Sequence, residues 1–367
     1  MEARQIRERG LSVAPNYAIV LPPHEGFAPA AVGAIGLLVH RLVRGAGGTV
    51  VGAPNIYPPF DDVPFVPAPP GWGLTGAARY ARGVARVLVR LRPGLIEVHN
   101  RPEIAVLLAR LLPRTPMVLW LNNDPQHMRQ ARTPRQRARL LRRMTIVTAS
   151  DWLRRRFLDG VGGTVTVIHN ALDPQSAPPI ERERLILFAG RMVADKGADV
   201  FVAACALALP GLPGWRAAMV GADRFSPTAP DTPFVTALRP LALAAGITLH
   251  GHQPHDAVLG LMRRAAIVCV PSRWPEPFGL VAVEAMACGA ALICAPRGGL
   301  PEVAGDAALY AEPEVDALAG AMRILAQDGP RRAVMAAAGR ARAAQFDTAV
   351  AVAALRQLRA RLCPALA

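Results

Sequence analysis

Short apolar, often β-branched runs alternate along the chain with longer stretches rich in alanine, leucine and arginine. In the first half the pattern predicts strands at Tyr17–Leu21, Thr49–Ala53, Leu95–His99, Met117–Leu121, Ile146–Ala149 and Thr164–His169. Helices are predicted between them at Ala31–Arg44, Leu74–Leu91, Ile104–Leu111, Arg135–Arg143 and Asp151–Leu158. The strands are mostly continuous apolar runs, as a parallel sheet covered on both faces requires. Residues 171–182 (ALDPQSAPPIER) are rich in proline and polar groups and read as a linker. The alternation then restarts, with strands at Leu185–Phe188, Ala217–Val220, Ile247–His250, Ile267–Val270, Ala291–Cys294 and Ala307–Tyr310. Helices are predicted at Ala198–Leu209, Phe234–Ala245, Ala257–Ala265 and Gly279–Cys288, and then at Val315–Gln327, Pro330–Ala344 and Thr348–Leu362. The expected fold class is α/β: two doubly wound Rossmann-like domains, 1–175 and 183–346, facing across a cleft, followed by a terminal helix in 347–367. Such sheets bind ligands at the carboxyl ends of their strands, which here would face the cleft.

Composition agrees. The 367 residues are 52% hydrophobic and 19% charged, enough apolar material for two cores and too much for disorder. The five cysteines form no C-x-x-C pair, against a zinc site or a disulfide framework and for a reducing, cytoplasmic setting. Met1–Gly10 is charged and lacks the apolar stretch of a secretory signal. Residues 279–296 are almost wholly apolar, but Glu284, Gly289 and Pro296 interrupt them, so a buried helix followed by a buried strand is expected rather than a membrane span.

The net charge of +15 is uneven: residues 1–175 hold 23 arginines against 11 acidic residues. The first half should therefore face something anionic, such as a membrane surface, a phosphorylated acceptor or nucleic acid. Part of that charge lies in Arg129, Arg132, Arg135, Arg137, Arg139, Arg142 and Arg143, which with Leu140, Leu141 and Met144 can form a basic amphipathic helix suited to an anionic membrane. A solvated arginine-rich face has the same pattern. The whole chain contains one lysine, Lys196.

That lysine lies in Gly190-Arg191-Met192-Val193-Ala194-Asp195-Lys196-Gly197, straight after a predicted strand. Arg191 and Lys196 can converge on a diphosphate, with a helix N-terminus beside them; a loop with two solvated cations has the same spacing. A second constellation is Pro271-Ser272-Arg273-Trp274-Pro275-Glu276-Pro277-Phe278-Gly279, running into a helix that carries Glu284. Glu284 falls among apolar residues and must meet hydroxyls, a cation or backbone donors; polyol recognition fits, and so does a buried Glu–Arg pair. Arg297-Gly298-Gly299 permits close backbone approach to a ligand or a tight turn. His99 ends a predicted strand in the first half, and Glu25 and Gly26 lie in a loop after the first strand, so both should rim the cleft. The first strand lacks a following G-x-G-x-x-G, and the chain has no Walker A sequence, no G-x-S-x-G and no D-x-D. A dinucleotide enzyme, a P-loop NTPase, an elbow hydrolase and a metal-bridged diphosphate are therefore not indicated.

Taken in order, these segments resemble the retaining glycosyltransferases of family 4, the group 1 transferases of the GT-B fold. The resemblance is carried by LILFAGRMVADKG, VGAD, the long run from LHGHQPHD through VPSRWPEPFGLVAVEAMACG to RGGLPEVAGDAALY, and the terminal helix after AAQFD. The first half is similar more loosely, through IEVHNRPE, TASDWLRRRF and VIHNALD, the last departing from the commoner N-G-V-D at Ala171 and Leu172. The resemblance implies that Arg191, Lys196 and Gly190 bind a donor diphosphate and that Glu284 holds the nucleotide ribose. It implies that Glu276 and the backbone of Phe278 and Gly279 hold the transferred sugar, and that His99 lies near the reaction centre.

It also implies sugar transfer with retention from a nucleotide-diphosphate sugar to a glycan or lipid-linked acceptor, as in surface polysaccharide or lipopolysaccharide synthesis. No cofactor or metal is expected, nor nucleic acid as a partner, and the location expected is cytoplasmic, at most peripheral at the inner membrane face. Two rivals differ in what they require. An epimerase of the same fold converts donor with no acceptor present. A basic nucleic-acid-binding protein shows steep salt dependence and leaves Glu276 and Glu284 without a role.

Overall fold

The computed structural model describes residues 17–173, 181–223 and 231–364; Met1–Gly10 and most of the expected linker lie outside the described residues. The chain divides into two compact units, one of Met1–Ala171 with Thr348–Ala367, the other of Leu172–Asp347.

The strands of the first unit are β1 (Tyr17–Val20), β2 (Phe27–Ala28), β3 (Ala31–Val32), β4 (Thr49–Gly52), β5 (Phe65–Pro67), β6 (Leu95–His99), β7 (Met117–Leu121), β8 (Thr145–Thr148) and β9 (Thr166–Val167). Seven of them form one sheet in the order β5-β4-β1-β6-β7-β8-β9, every neighbouring pair parallel. Ile96, Val98, Leu119 and Ile146 pack on one face beneath the helices Gly76–Leu91 and Pro102–Leu111. Ile19, Val118, Trp120 and Val147 pack on the other beneath Ala34–Ala46 and Thr348–Leu362. β2 and β3 form a separate antiparallel hairpin.

Helix Thr348–Leu362 joins this unit through Leu355 and Leu358 and through a fully buried ion pair. Arg359 meets Glu97 of β6 with Nε–Oε1 at 2.6 Å and Nη2–Oε2 at 3.2 Å. Its Nη1 donates to the carbonyls of Ala46 and Gly47, and the guanidinium lies over the Tyr17 ring at 4.3 Å.

The second unit contains β10 (Glu183–Ala189), β11 (Arg216–Val220), β12 (Ile247–Leu249), β13 (Ala265–Val270), β14 (Ala291–Cys294) and β15 (Ala308–Tyr310). These form a parallel sheet in the order β12-β11-β10-β13-β14-β15. Residues 279–296 form the helix Leu280–Ala287 followed by the buried strand β14. Among the described residues, no helix is long and apolar enough to cross a membrane.

In both sheets the connections run outward to one side and then return to begin the other. The reversal falls between β1 and β6 in the first unit and between β10 and β13 in the second. Ligands of doubly wound sheets bind beyond the carboxyl ends of such strand pairs.

Two sequence expectations change. Ala31 and Val32, expected in a helix, pair in the hairpin, and the helix begins at Ala34. The Glu25 carboxylate occupies the helix start, accepting the Gly36 N–H at 2.8 Å. The basic helix expected across 129–143 is limited to Pro134–Leu141. Arg137 in its middle is 1% exposed, because the guanidinium donates to the carbonyls of Phe157, Ala131, Arg132 and Asp159. Leu140 and Met144 belong to the core. Arg137 therefore serves the fold rather than an outward basic face.

Candidate functional site

In the second unit, the loops leaving the two strands at the reversal are the two motif-bearing ones. Gly190 follows β10, and Pro271 follows β13. Gly197 ends the first loop with φ +70°, and a Cβ there would lie 2.0 Å from the Pro271 carbonyl oxygen. Only glycine permits both that left-handed backbone and that approach. The loops are joined further by the Trp274 N–H donating to the Asp195 carbonyl at 3.0 Å. Arg273 donates to the Ala194 carbonyl and grips Asp199 through both of its terminal nitrogens, at 2.7 and 2.8 Å.

The consequence is a compact polar knot. Lys196 Nζ donates to Glu276 Oε1 at 2.5 Å, and Ser272 Oγ donates to the same oxygen at 2.6 Å. Ser272 and Glu276 are buried, while the Lys196 side chain retains 26% exposure. The ammonium has three donors, so this bond commits one of them.

The third motif packs on the second. Gly298 has φ +64°, and a Cβ there would fall within 2.5 Å of the Glu276 backbone; the Gly299 N–H donates to the Glu276 carbonyl at 2.6 Å. Gly279 caps the helix Leu280–Ala287, whose N-terminus carries partial positive charge. Phe278 is buried with its ring edge-on to Phe346. Arg191 is exposed.

Glu284 is 7% exposed. Its partner is His255, with Nε2 at 2.8 Å from Oε1, at the start of the helix His255–Arg264. Neither Ser272 nor His255 was singled out by sequence reasoning. Ser272 had a local signal, four residues before Glu276 in the same loop. His255 had none, standing 29 residues from its partner.

In the first unit, the reversal pair β1 and β6 carries the other candidates. His99 ends β6, is 1% exposed, and stacks on Trp120, its register neighbour, with centroids 5.2 Å apart. Burial, reinforced by the Arg359 charge, depresses its imidazole pKa to about 3, so the ring is neutral. Glu25 follows β1, and burial raises its pKa against the pull of the Gly36 amide and Arg101. Gly26 starts the hairpin, its Cα closely approached by the Ala31 carbonyl. Ala171 and Leu172, where the N-G-V-D pattern is lost, are buried, and the Ala171 carbonyl accepts from Arg41 at 2.9 Å.

Two parallel sheets with this strand order, and a knot of lysine, glutamate and glycine loops at the reversal of one, define the GT-B class. The family description Glycosyl transferases group 1 matches residues 171–342, and Glycosyltransferase Family 4 matches residues 37–176. The chain belongs to the group 1 glycosyltransferases. A D-inositol 3-phosphate glycosyltransferase of Segniliparus rotundus is 39% identical over 124 residues, 34% of this chain and 27% of that protein. The chain thus matches about a quarter of that relative's length. Among solved structures, Anabaena Alr3699/HepE in complex with UDP-glucose superposes with TM-score 0.75 at 20% identity, covering 94% of this chain and 99% of that one. Sucrose-phosphate synthase from Thermosynechococcus elongatus gives 0.76 at 20% identity, covering 95% and 100%. These two likenesses establish the fold.

Proposed function

We propose that the protein transfers a sugar from a nucleotide-diphosphate sugar to a hydroxyl of a glycan or lipid-linked acceptor, with retention of anomeric configuration. Surface polysaccharide or lipopolysaccharide assembly is the setting this reading favours. The observation that carries it is the knot of Lys196, Glu276 and Ser272 at the carboxyl ends of β10 and β13.

In this reading Arg191 and Lys196 take the donor diphosphate, with the Gly190 loop backbone close by. Glu276 and the backbone at Phe278 and Gly279 take hydroxyls of the transferred sugar. Glu284, oriented by His255, takes the ribose hydroxyls, since a carboxylate accepts two hydroxyl hydrogen bonds. His99 supplies a neutral ring at the reaction centre, and the loop of Glu25 and Gly26 borders the acceptor. The glycosidic C–O bond to the diphosphate breaks as the acceptor oxygen bonds to the anomeric carbon on the same face. The departing diphosphate oxygen receives the acceptor's hydroxyl proton. Negative charge grows on the leaving group, where the two cations and the helix N-termini stabilise it more in the transition state than in the bound donor. The reading requires no metal or cofactor.

The test is turnover of a panel of UDP-, GDP- and ADP-sugars by the full chain, with and without a lipid-linked acceptor. Lys196→Ala and Glu276→Ala should each lower kcat by roughly 10²–10³ with folding intact by circular dichroism. Near-normal turnover in either variant refutes the site, and conversion of donor alone to an epimer refutes the transferase reading.

A further inference from the structure

The first unit carries an exposed patch unrelated to the strand-reversal site. β4 and β5 are neighbours at one edge of the sheet, with Gly52 in register with Pro67, so the loops that follow them emerge at the same end. The first loop presents Ile56, 95% exposed, and Tyr57, also exposed. The second presents Trp72 at 75% and Leu74 at 92%. Single exposed apolar side chains are ordinary; four large ones on two adjacent loops are not.

The second loop is braced rather than loose. The Gly71 N–H donates to the Arg79 carbonyl at 2.8 Å. Arg82 Nη1 donates to the Trp72 carbonyl at 2.9 Å, and its guanidinium lies 5.3 Å from the Trp72 ring centroid. The helix that follows, Gly76–Leu91, buries Tyr80, Val84 and Leu88 and exposes Arg79, Arg82, Arg86 and Arg90. No acidic residue occurs between Asp62 and Glu97; Asp62 itself is bound to His40 at 2.7 Å.

We propose that this patch docks the protein on an anionic phospholipid surface, with Ile56, Tyr57, Trp72 and Leu74 entering the headgroup boundary and the arginines of helix Gly76–Leu91 lying along the phosphates. Amphipathic aromatic and aliphatic side chains beside arginines that show no ion pair among the described residues are what such an interface selects. Asp61 is an exposed carboxylate in the first loop. The patch lies at the strand-end side of the sheet, as His99 does, so a lipid-anchored acceptor would be presented to that end. This deepens the lipid-linked acceptor reading, on which its functional meaning rests.

The test is co-sedimentation of the full chain with phosphatidylcholine vesicles, with and without phosphatidylglycerol, at low and high salt and without donor. Wild type should bind the anionic vesicles alone and be released by salt. Trp72→Ser with Leu74→Ser should weaken binding roughly tenfold or more. Arg79→Gln, Arg82→Gln and Arg86→Gln together should weaken it roughly a hundredfold, about fivefold per charge. All variants should keep wild-type donor turnover on a detergent-solubilised acceptor. Unchanged vesicle binding in either variant overturns the proposal. So does equal binding to neutral vesicles, or a patch whose loss abolishes self-association or RNA binding in place of vesicle binding. Vesicle binding without any transfer would instead sink the transferase reading and leave the docking surface standing.

Discussion

Replacing Glu97 with glutamine tests how the terminal helix is held. The substitution keeps the shape of the side chain and removes its charge, leaving Arg359 buried at 1% exposure with the carbonyls of Ala46 and Gly47 and the face of Tyr17. Breaking a buried ion pair by removing one partner costs about 3–5 kcal/mol, since the remaining charge has no solvent and no counterion. Against a typical total of about 5–15 kcal/mol this is a large fraction. At about 2–4 °C per kcal/mol for a unit of this size, Tm should fall by roughly 6–20 °C. The double variant Glu97→Gln with Arg359→Met removes both charges and should recover most of the loss. Urea unfolding followed by tryptophan fluorescence gives the free energy, and hydrogen exchange across Thr348–Leu362 localises it. A Glu97→Gln protein within about 1 kcal/mol of wild type, with that helix equally protected, would refute the reasoning.

His99 should make the first unit acid-sensitive. Its folded pKa of about 3 lies below the unfolded value near 6.5, so the unfolded chain binds the proton first. The stability held by the neutral ring is present above pH 6.5 and is lost as pH falls toward 3, about 2 kcal/mol being gone at pH 5. Denaturation at pH 7 and pH 5 should show that loss in wild type and not in His99→Gln; equal losses would refute it. Gly197→Ala should separate binding from folding. The new Cβ meets the Pro271 carbonyl on a left-handed backbone, costing about 1–2 kcal/mol and prising the Lys196 loop from the Glu276 loop. Calorimetry should show a donor affinity at least tenfold weaker, with Tm lowered by about 2–8 °C, and wild-type affinity would count against the knot as the donor site.

The doubly wound α/β class was legible in the sequence alone, because what specifies it is local. Continuous apolar runs such as Met117–Leu121 and Ala265–Val270 have both faces to bury, and the helices between them bury one. The two loops at the strand reversal were also visible, as polar, glycine-bearing stretches straight after apolar strands. Other features depended on contacts between positions far apart in the chain, which periodicity does not encode. Lys196 and Glu276 are 80 residues apart, and Glu97 and Arg359 are 262 apart. Local pattern placed Arg137 on a basic outer face, yet four backbone carbonyls from two segments, Ala131–Arg132 and Phe157–Asp159, draw it into the interior. It likewise missed the hairpin at Phe27–Val32, which a single carboxylate at the start of the next helix helps to delimit. Hydrophobic periodicity thus determined the layers, and the tertiary structure decided which charges meet, because a buried charge takes its partner from whatever the fold brings near it.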